Sequence, residues 1–142
     1  MIEKTIDSIN RTIFLYYNDD ELTASPSDRD SLTLLGFSIN FGNPASSSLS
    51  KEGSFSVDSF SSDYCIGRNC APSPGPQGYD VVSNRIMHKP MFRNFGAYQC
   101  IVANHTVDAN GNGLAGIRWY ELRKTSNWTI YQQNTYAPQE LL

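Results

Sequence analysis

The sequence predicts a mainly β domain made of antiparallel meander sheets, either propeller-blade-like or a sandwich. Three observations carry this reading. Aromatic residues make up 12% of the chain and charged residues only 18%, a balance that favours strands over surface helices. Short runs rich in β-branched and aromatic residues recur, separated by Gly, Asn and Pro. In the second half the gaps between these runs are so short that successive strands must be antiparallel neighbours.

The elements follow in order. Ile2, Ile6 and Ile9 stand at helical spacing, so residues 2–10 read as one short helix or as a frayed terminus. Thr12–Tyr17 is a strand and Asn18–Asp30 a polar loop. Leu32–Phe41 is a second strand, alternating cleanly at Phe37, Ile39 and Phe41. Asn43–Gly53 reads as a turn-rich loop. Serine fills nine of the eighteen positions from Ala45 to Ser62; Leu49, Phe55, Val57 and Phe60 make this an ordered hydroxyl-rich stretch, with a short strand at 54–57. Cys65–Gly78, with Pro72, Pro74 and Pro76, cannot join a central sheet and reads as a linker or a surface crossing. Arg85–Phe92, Tyr98–Val107, Ala115–Arg123 and Trp128–Gln133 then form a four-stranded meander. Asn-Gly steps between Asp108 and Gly113 supply the second hairpin turn.

The faces of this meander carry more. In Ile101–Val107 one face is Ile101, Ala103, His105, Val107 and the other Val102, Asn104, Thr106. In Ala115–Arg123 one face is Ala115, Ile117, Trp119, Glu121 and the other Gly116, Arg118, Tyr120, Leu122. Apolar groups lie on both faces, whereas a sheet with one wet face alternates more strictly. The sheet therefore expects cover on both sides.

At 142 residues the chain has a one-domain length, divisible into N-terminal strands and Ser-rich loop (1–64), a Cys/Pro-rich crossing (65–78) and the meander (79–138). Net charge is −3: residues 1–71 hold five Lys/Arg and ten Asp/Glu, residues 72–142 six and four. No Lys/Arg cluster exists, which argues against a nucleic-acid partner. No apolar run approaches the ~18 residues of a membrane span. The charged N-terminus lacks the apolar core of a signal peptide, so the product is expected in the cytoplasm if this is the whole reading frame. Cys65 and Cys70 can close a small loop in an oxidising compartment, Cys100 reads as a small buried side chain, and no second Cys or His pair stands at zinc spacing.

Several segments resemble, in order and at compatible spacing, large secreted bacterial proteins that are propeller-like and uncharacterised. These are Cys70–Gly75, Ser83–Met87, Arg93–Gly96, Asn104–Asp108, Ala115–Arg123, Trp128–Gln133 and Thr135–Pro138. Tyr17–Glu21, Leu34–Phe41, Asn43-Pro44 and Val57–Phe60 extend the likeness to about 130 of the 142 residues. The chain departs from the pattern in three ways. It lacks a secretion signal, it stops where further strands would follow, and Lys89-Pro90 interrupts a strand, which is then an edge or a bulge. The resemblance implies a sialidase-like propeller fold type, here a detached fragment carried as its own small gene. It implies no established activity. A fragment leaves a sheet face uncovered, so the expected partner is the chain itself, as a homodimer or a higher oligomer, most simply through a self-complementary face.

Candidate sites are few. Sialidase-like propellers hold a carboxylate on several arginines and use a Tyr/Glu pair on the glycosidic carbon. Arg85, Arg93, Arg118 and Arg123 lie in the meander with Tyr120 and Glu121, the residue types of such a site; Arg93, His105, Arg118, Tyr120 and Glu121 are the candidate ligand-binding residues, and a small carboxylate or sugar is the ligand they suit. Arg118 and Glu121 nevertheless fall on opposite strand faces, which favours structural roles. Asp108, Asn110 and Asn112 match the first half of a calcium loop, but the twelfth position is Trp119 and the flanks are strands, so a hairpin tip is the simpler reading. Asp19-Asp20-Glu21 reads as a solvated acidic loop. No acid/base pair, nucleophile elbow or phosphate loop stands at readable spacing. No catalytic residue and no cofactor is expected, and a non-catalytic binding protein acting as an oligomer is favoured over a glycosidase-like enzyme or its vestige.

Overall fold

A computed structural model describes residues 11–22, 29–65, 69–71 and 73–138. The short helix expected over 2–10 lies outside them. Seven strands form two antiparallel sheets. β1 (Arg11–Asn18), β2 (Ser31–Ser38) and β3 (Ser48–Ser56) make the first, in that order; β4 (Met87–Asn94), β5 (Gln99–Asp108), β6 (Ala115–Lys124) and β7 (Trp128–Tyr136) make the second. The fold is a mainly β sandwich of two meanders.

Several boundaries differ from the sequence reading: β4 is shifted to Met87–Asn94 and β7 runs on to Tyr136. β3 begins at Ser48, inside the stretch expected to be a loop. Its serines are poor strand formers, but Leu49 and Phe55 sit opposite Phe37 and Leu32 of β2, and this pairing supplies what local preference lacks. β2 ends at Ser38 rather than Phe41, because the Asn40 side chain accepts the Gly42 and Asn43 amides and turns the chain. Lys89-Pro90 behaves as expected. β4 is an edge strand, its register shifts between Met87 and Met91, and His88 takes a positive φ of 55°.

The core lies between the sheets. Leu15, Leu32 and Leu34 from the first sheet meet Ile101, Ala103, Tyr120, Leu122 and Trp128 from the second. The register explains this: Leu15 pairs with Leu34, Ile101 with Leu122 and Ala103 with Tyr120, so each pair points inward together. Burial of one such aliphatic side chain contributes roughly 1.5–3 kcal/mol. Residues 57–62 strap the sheets together. The Val57 amide bonds to the Asp30 carbonyl, Asp108 donates its amide to Ser61, and the Phe60 ring enters the core. The 65–78 crossing carries a Cys65–Cys70 disulfide, and Ala71 bridges to Tyr79.

Candidate binding surface

Pairing register arranges the outward side chains of the four-stranded sheet in rows. Arg93, Cys100, Arg123 and Thr129 form the first; Met91, Val102, Glu121 and Gln132 the second; Met87, Asn104, Trp119 and Asn134 the third; Thr106, Ile117 and Tyr136 the last. Met91, Val102, Ile117 and Tyr136 are exposed. Water-facing strands normally place polar residues at such positions. At the far end residues near Val81 fold over the sheet, with Thr106 donating to the Val81 carbonyl at 2.9 Å. Between this segment and the irregular start of β4 lies a recess of about 310 Å³, lined by Val81, Met87, Asn104, His105, Thr106, Ala115, Gly116 and Ile117.

The near end is closed by a stack of alternating cations and rings. Arg93 lies over Phe95 at 5.3 Å, Phe95 stacks on Tyr98 at 4.9 Å, and Arg123 sits between Tyr98 at 4.6 Å and Tyr131 at 3.4 Å. The register shift between Glu121 and Leu122 brings Tyr131 to this side. The Arg123 Nε bonds to Glu121 at 2.6 Å, and Gln132 donates to the other Glu121 oxygen at 2.6 Å. Burial pushes the Glu121 carboxyl up, but hydrogen bonds from Arg123, Gln132 and Cys100 outweigh it and hold the group below its ordinary value. Burial and the Glu121 bond raise the Cys100 thiol to about 11, so it is not a nucleophile at neutral pH. The ring faces stack on one another, so the feature acts as a stiff plate rather than an open platform for a sugar.

The residues suggested as a ligand set do not converge. Arg93 and Glu121 lie on this outer face. His105, Arg118 and Tyr120 point into the core, with 0%, 5% and 0% exposure. The His105 Nε2 shares a hydrogen bond with the Tyr120 hydroxyl at 2.9 Å, and its ring is packed by Tyr17 and Phe60. Burial lowers its pKa to about 4, keeping the ring neutral. Burial likewise raises Tyr120. Arg118 bonds to Thr135, to Gln133 and to the Asp58 carbonyl. These contacts knit β6, β7 and the 57–62 strap. All three side chains are buried in this structure and make internal contacts between the strands and the strap.

Other polar groups were less legible. Asp19 and Asp30 are 2% exposed, in contrast to the solvated loop expected around Asp19. Asp19 accepts the Glu21 amide and both the amide and hydroxyl of Ser62; Asp30 accepts the Asp20 and Phe60 amides. Carboxyl oxygens of Asp19, Asp20, Glu21 and Asp30 lie within 4.8 Å of one another. The two buried members are occupied by backbone donors and tie the β1–β2 connection to the strap. A bond shared with Asp19 raises Glu21 to about 7. No sequence pattern joins Asp30 to Asp19; only the hairpin does.

A polar cavity of about 220 Å³ opens beside this group, lined by Ser62, Asp63, Cys65, Asp80, Ser83 and Arg85 among others. Both of its carboxylates are exposed, and the Asp80 carboxylate accepts the Val82 amide. The buried surroundings a glycosidase acid requires are missing there. Asp108, Asn110 and Asn112 occupy the β5–β6 hairpin tip. The carboxylate of Asp108 accepts the Asn110 and Gly113 amides, the side chain of Asn110 accepts those of Asn112 and Leu114, and Gly111 and Gly113 take positive φ. Trp119 lies within β6, away from that tip.

Comparison of the chain with protein-family models, with curated proteins and with solved structures finds no match. Among the described residues no helix is long and apolar enough to cross a membrane.

Proposed function

We propose that the protein is a non-catalytic binding module, built from a propeller-like fragment, that works as an assembly of its own copies. One observation carries this reading: both sheets of the sandwich bear aromatic and aliphatic side chains on their outward faces. On the three-stranded sheet, Phe14, Tyr16 and Leu49 are exposed beside half-buried Leu35 and Phe37. On the four-stranded sheet Met91, Val102, Ile117 and Tyr136 take that place. Apolar patches on opposite sides of one small domain mark surfaces that are covered in use. The four-stranded meander has the strand count of a propeller blade and the three-stranded one falls a strand short, in keeping with a fragment. The division of the suggested ligand residues between core and surface speaks against a glycan-active site.

Light scattering at micromolar concentration tests this. Self-association gives a mass at a multiple of 15.9 kDa. A stable monomer throughout the range overturns the reading.

A further inference from the structure

We infer that β1 pairs edge to edge with the β1 of a second copy, antiparallel about a twofold axis, so that two three-stranded sheets become one of six strands. This rests on the self-association proposed above and names the strand that carries it.

The edges of the two sheets are not alike. Among the described residues the sheets end at β1, β3, β4 and β7. Three of these edge strands hold residues that their neighbour does not match. Glu52 of β3 stands between the partners of Leu34 and Leu35. Residues 88–90 of β4 stand where β5 has only Ala103. Tyr131 of β7 stands between the partners of Glu121 and Leu122. Bulges of this kind bend and twist a strand, and together with Lys89 and Pro90 on β4 they are devices that keep an edge from pairing with another chain.

β1 carries none of these devices. Its register with β2 is unbroken from Arg11 opposite Ser38 to Asn18 opposite Ser31, and it holds no proline. Its one charged residue, Arg11, stands at its start and is paired with Glu52 of β3. Among the described residues no backbone hydrogen bond reaches β1 from the side away from β2. An antiparallel edge strand turns every second residue's amide and carbonyl away from its neighbour, a row of donors and acceptors that a further strand can take.

A second copy of β1 is the strand that fits. It brings the same straight edge, whereas the other edges of the chain are bulged. A twofold axis normal to the sheet sets outward residues against outward residues, as the period of two along a strand requires. Centred on Leu15, the pairing takes in residues 12–18 of each copy. Phe14 then lies opposite the partner's Tyr16, and Ile13 opposite the partner's Tyr17. Phe14 and Tyr16 are 40% and 43% exposed, so symmetry gives two cross-strand aromatic pairs on the outward face. Arg11 falls outside the paired stretch, so no like charges meet. Such a contact uses both β1 edges and by itself stops at two copies.

Amide hydrogen exchange of the full chain, followed residue by residue at dilute and at concentrated protein, tests this. Every second amide of β1 is expected to slow several-fold as copies associate, which contact between side chains on the faces does not produce. The variant Phe14→Lys/Tyr16→Lys sets like charges opposite each other across the seam. It is expected to lose the slowing while circular dichroism shows it folded, and an equimolar mixture with Phe14→Glu/Tyr16→Glu is expected to regain it. Unchanged β1 exchange in a wild type that associates by sedimentation velocity, slowing at the edges of β3 or β7 in place of β1, or slowing retained in the lysine variant would overturn edge pairing alone. A wild type that stays monomeric at every concentration would overturn the underlying self-association as well.

Discussion

The ring of Tyr17 on β1 lies on the ring of His105 on β5, with centroids 4.4 Å apart and planes 20° from parallel. This contact joins the two sheets and seals the imidazole from water. A neutral buried histidine makes stability depend on pH. Its folded pKa, about 4, lies below the unfolded value near 6.5. Between those values the unfolded chain binds a proton that the folded chain refuses, so stability is full above pH 6.5 and falls as pH drops toward 4. The loss is on the order of 3 kcal/mol. Tyr17, Tyr120, Arg118 and Asp19 also act on this ring or its neighbours, and Glu21, raised to about 7, contributes with opposite sign. The difference between wild type and His105→Phe isolates the histidine. Urea unfolding from pH 7.5 to 4.5 is expected to show a shallower acid slope for the variant, even if losing the Tyr120 bond costs about 1 kcal/mol throughout.

Asp19 fastens the β1–β2 connection to the strap. Replacing it by alanine leaves the Glu21 amide and both Ser62 donors without their acceptor. The expected cost is about 2–4 kcal/mol at pH 7, read by urea unfolding. Burial pushes the Asp19 carboxyl up, but hydrogen bonds from the Glu21 side chain, from Ser62 and from the Glu21 amide outweigh it and leave its pKa lowered. Its stabilisation is therefore present above its unfolded pKa and is lost as pH falls through its lower folded one.

Gly116 faces inward opposite Val107. A Cβ there would meet the Ala109 Cβ at 2.7 Å and the Thr135 Cγ2 at 3.1 Å. Neither can swing aside like the end of a long side chain. Gly116→Val is expected to destabilise by about 1–3 kcal/mol and to lower the thermal midpoint.

The Cys65–Cys70 disulfide closes a short loop outside both sheets. The double variant Cys65→Ser/Cys70→Ser is expected to lose about 2 kcal/mol and to keep the far-ultraviolet circular dichroism of the sandwich. Loss of that signal would mean the loop organises more than itself.

Legibility followed local pattern strength. The β5 and β6 faces could be read because alternation is preserved over ten residues each, and Pro90 marked an edge because a proline cannot donate to a ladder. β3 was hidden because its strand character comes from Phe37 and Leu32 across the pairing, not from its serines. The acidic tie has no local sequence signature, because Asp19 and Asp30 meet through the β1–β2 hairpin and grip a strap whose Ser62 is 43 residues from Asp19. Which strand faces turn inward also depended on the second sheet. Alternation sorted Arg118 from Glu121, but only packing against Leu15, Leu32 and Leu34 made the Arg118 face the buried one.

Side-chain footprinting with hydroxyl radicals, run at dilute and at concentrated protein, tests most directly whether the outer faces are covered by other copies. Phe14 and Tyr16 on one face, and Met91 and Tyr136 on the other, are expected to lose reactivity as concentration rises. Phe41 and Tyr79, exposed at 80% and 64% outside the strands, serve as references and are expected to keep theirs. Outer-face reactivity that stays parallel to Phe41 and Tyr79 at every concentration would contradict self-association through the sheets.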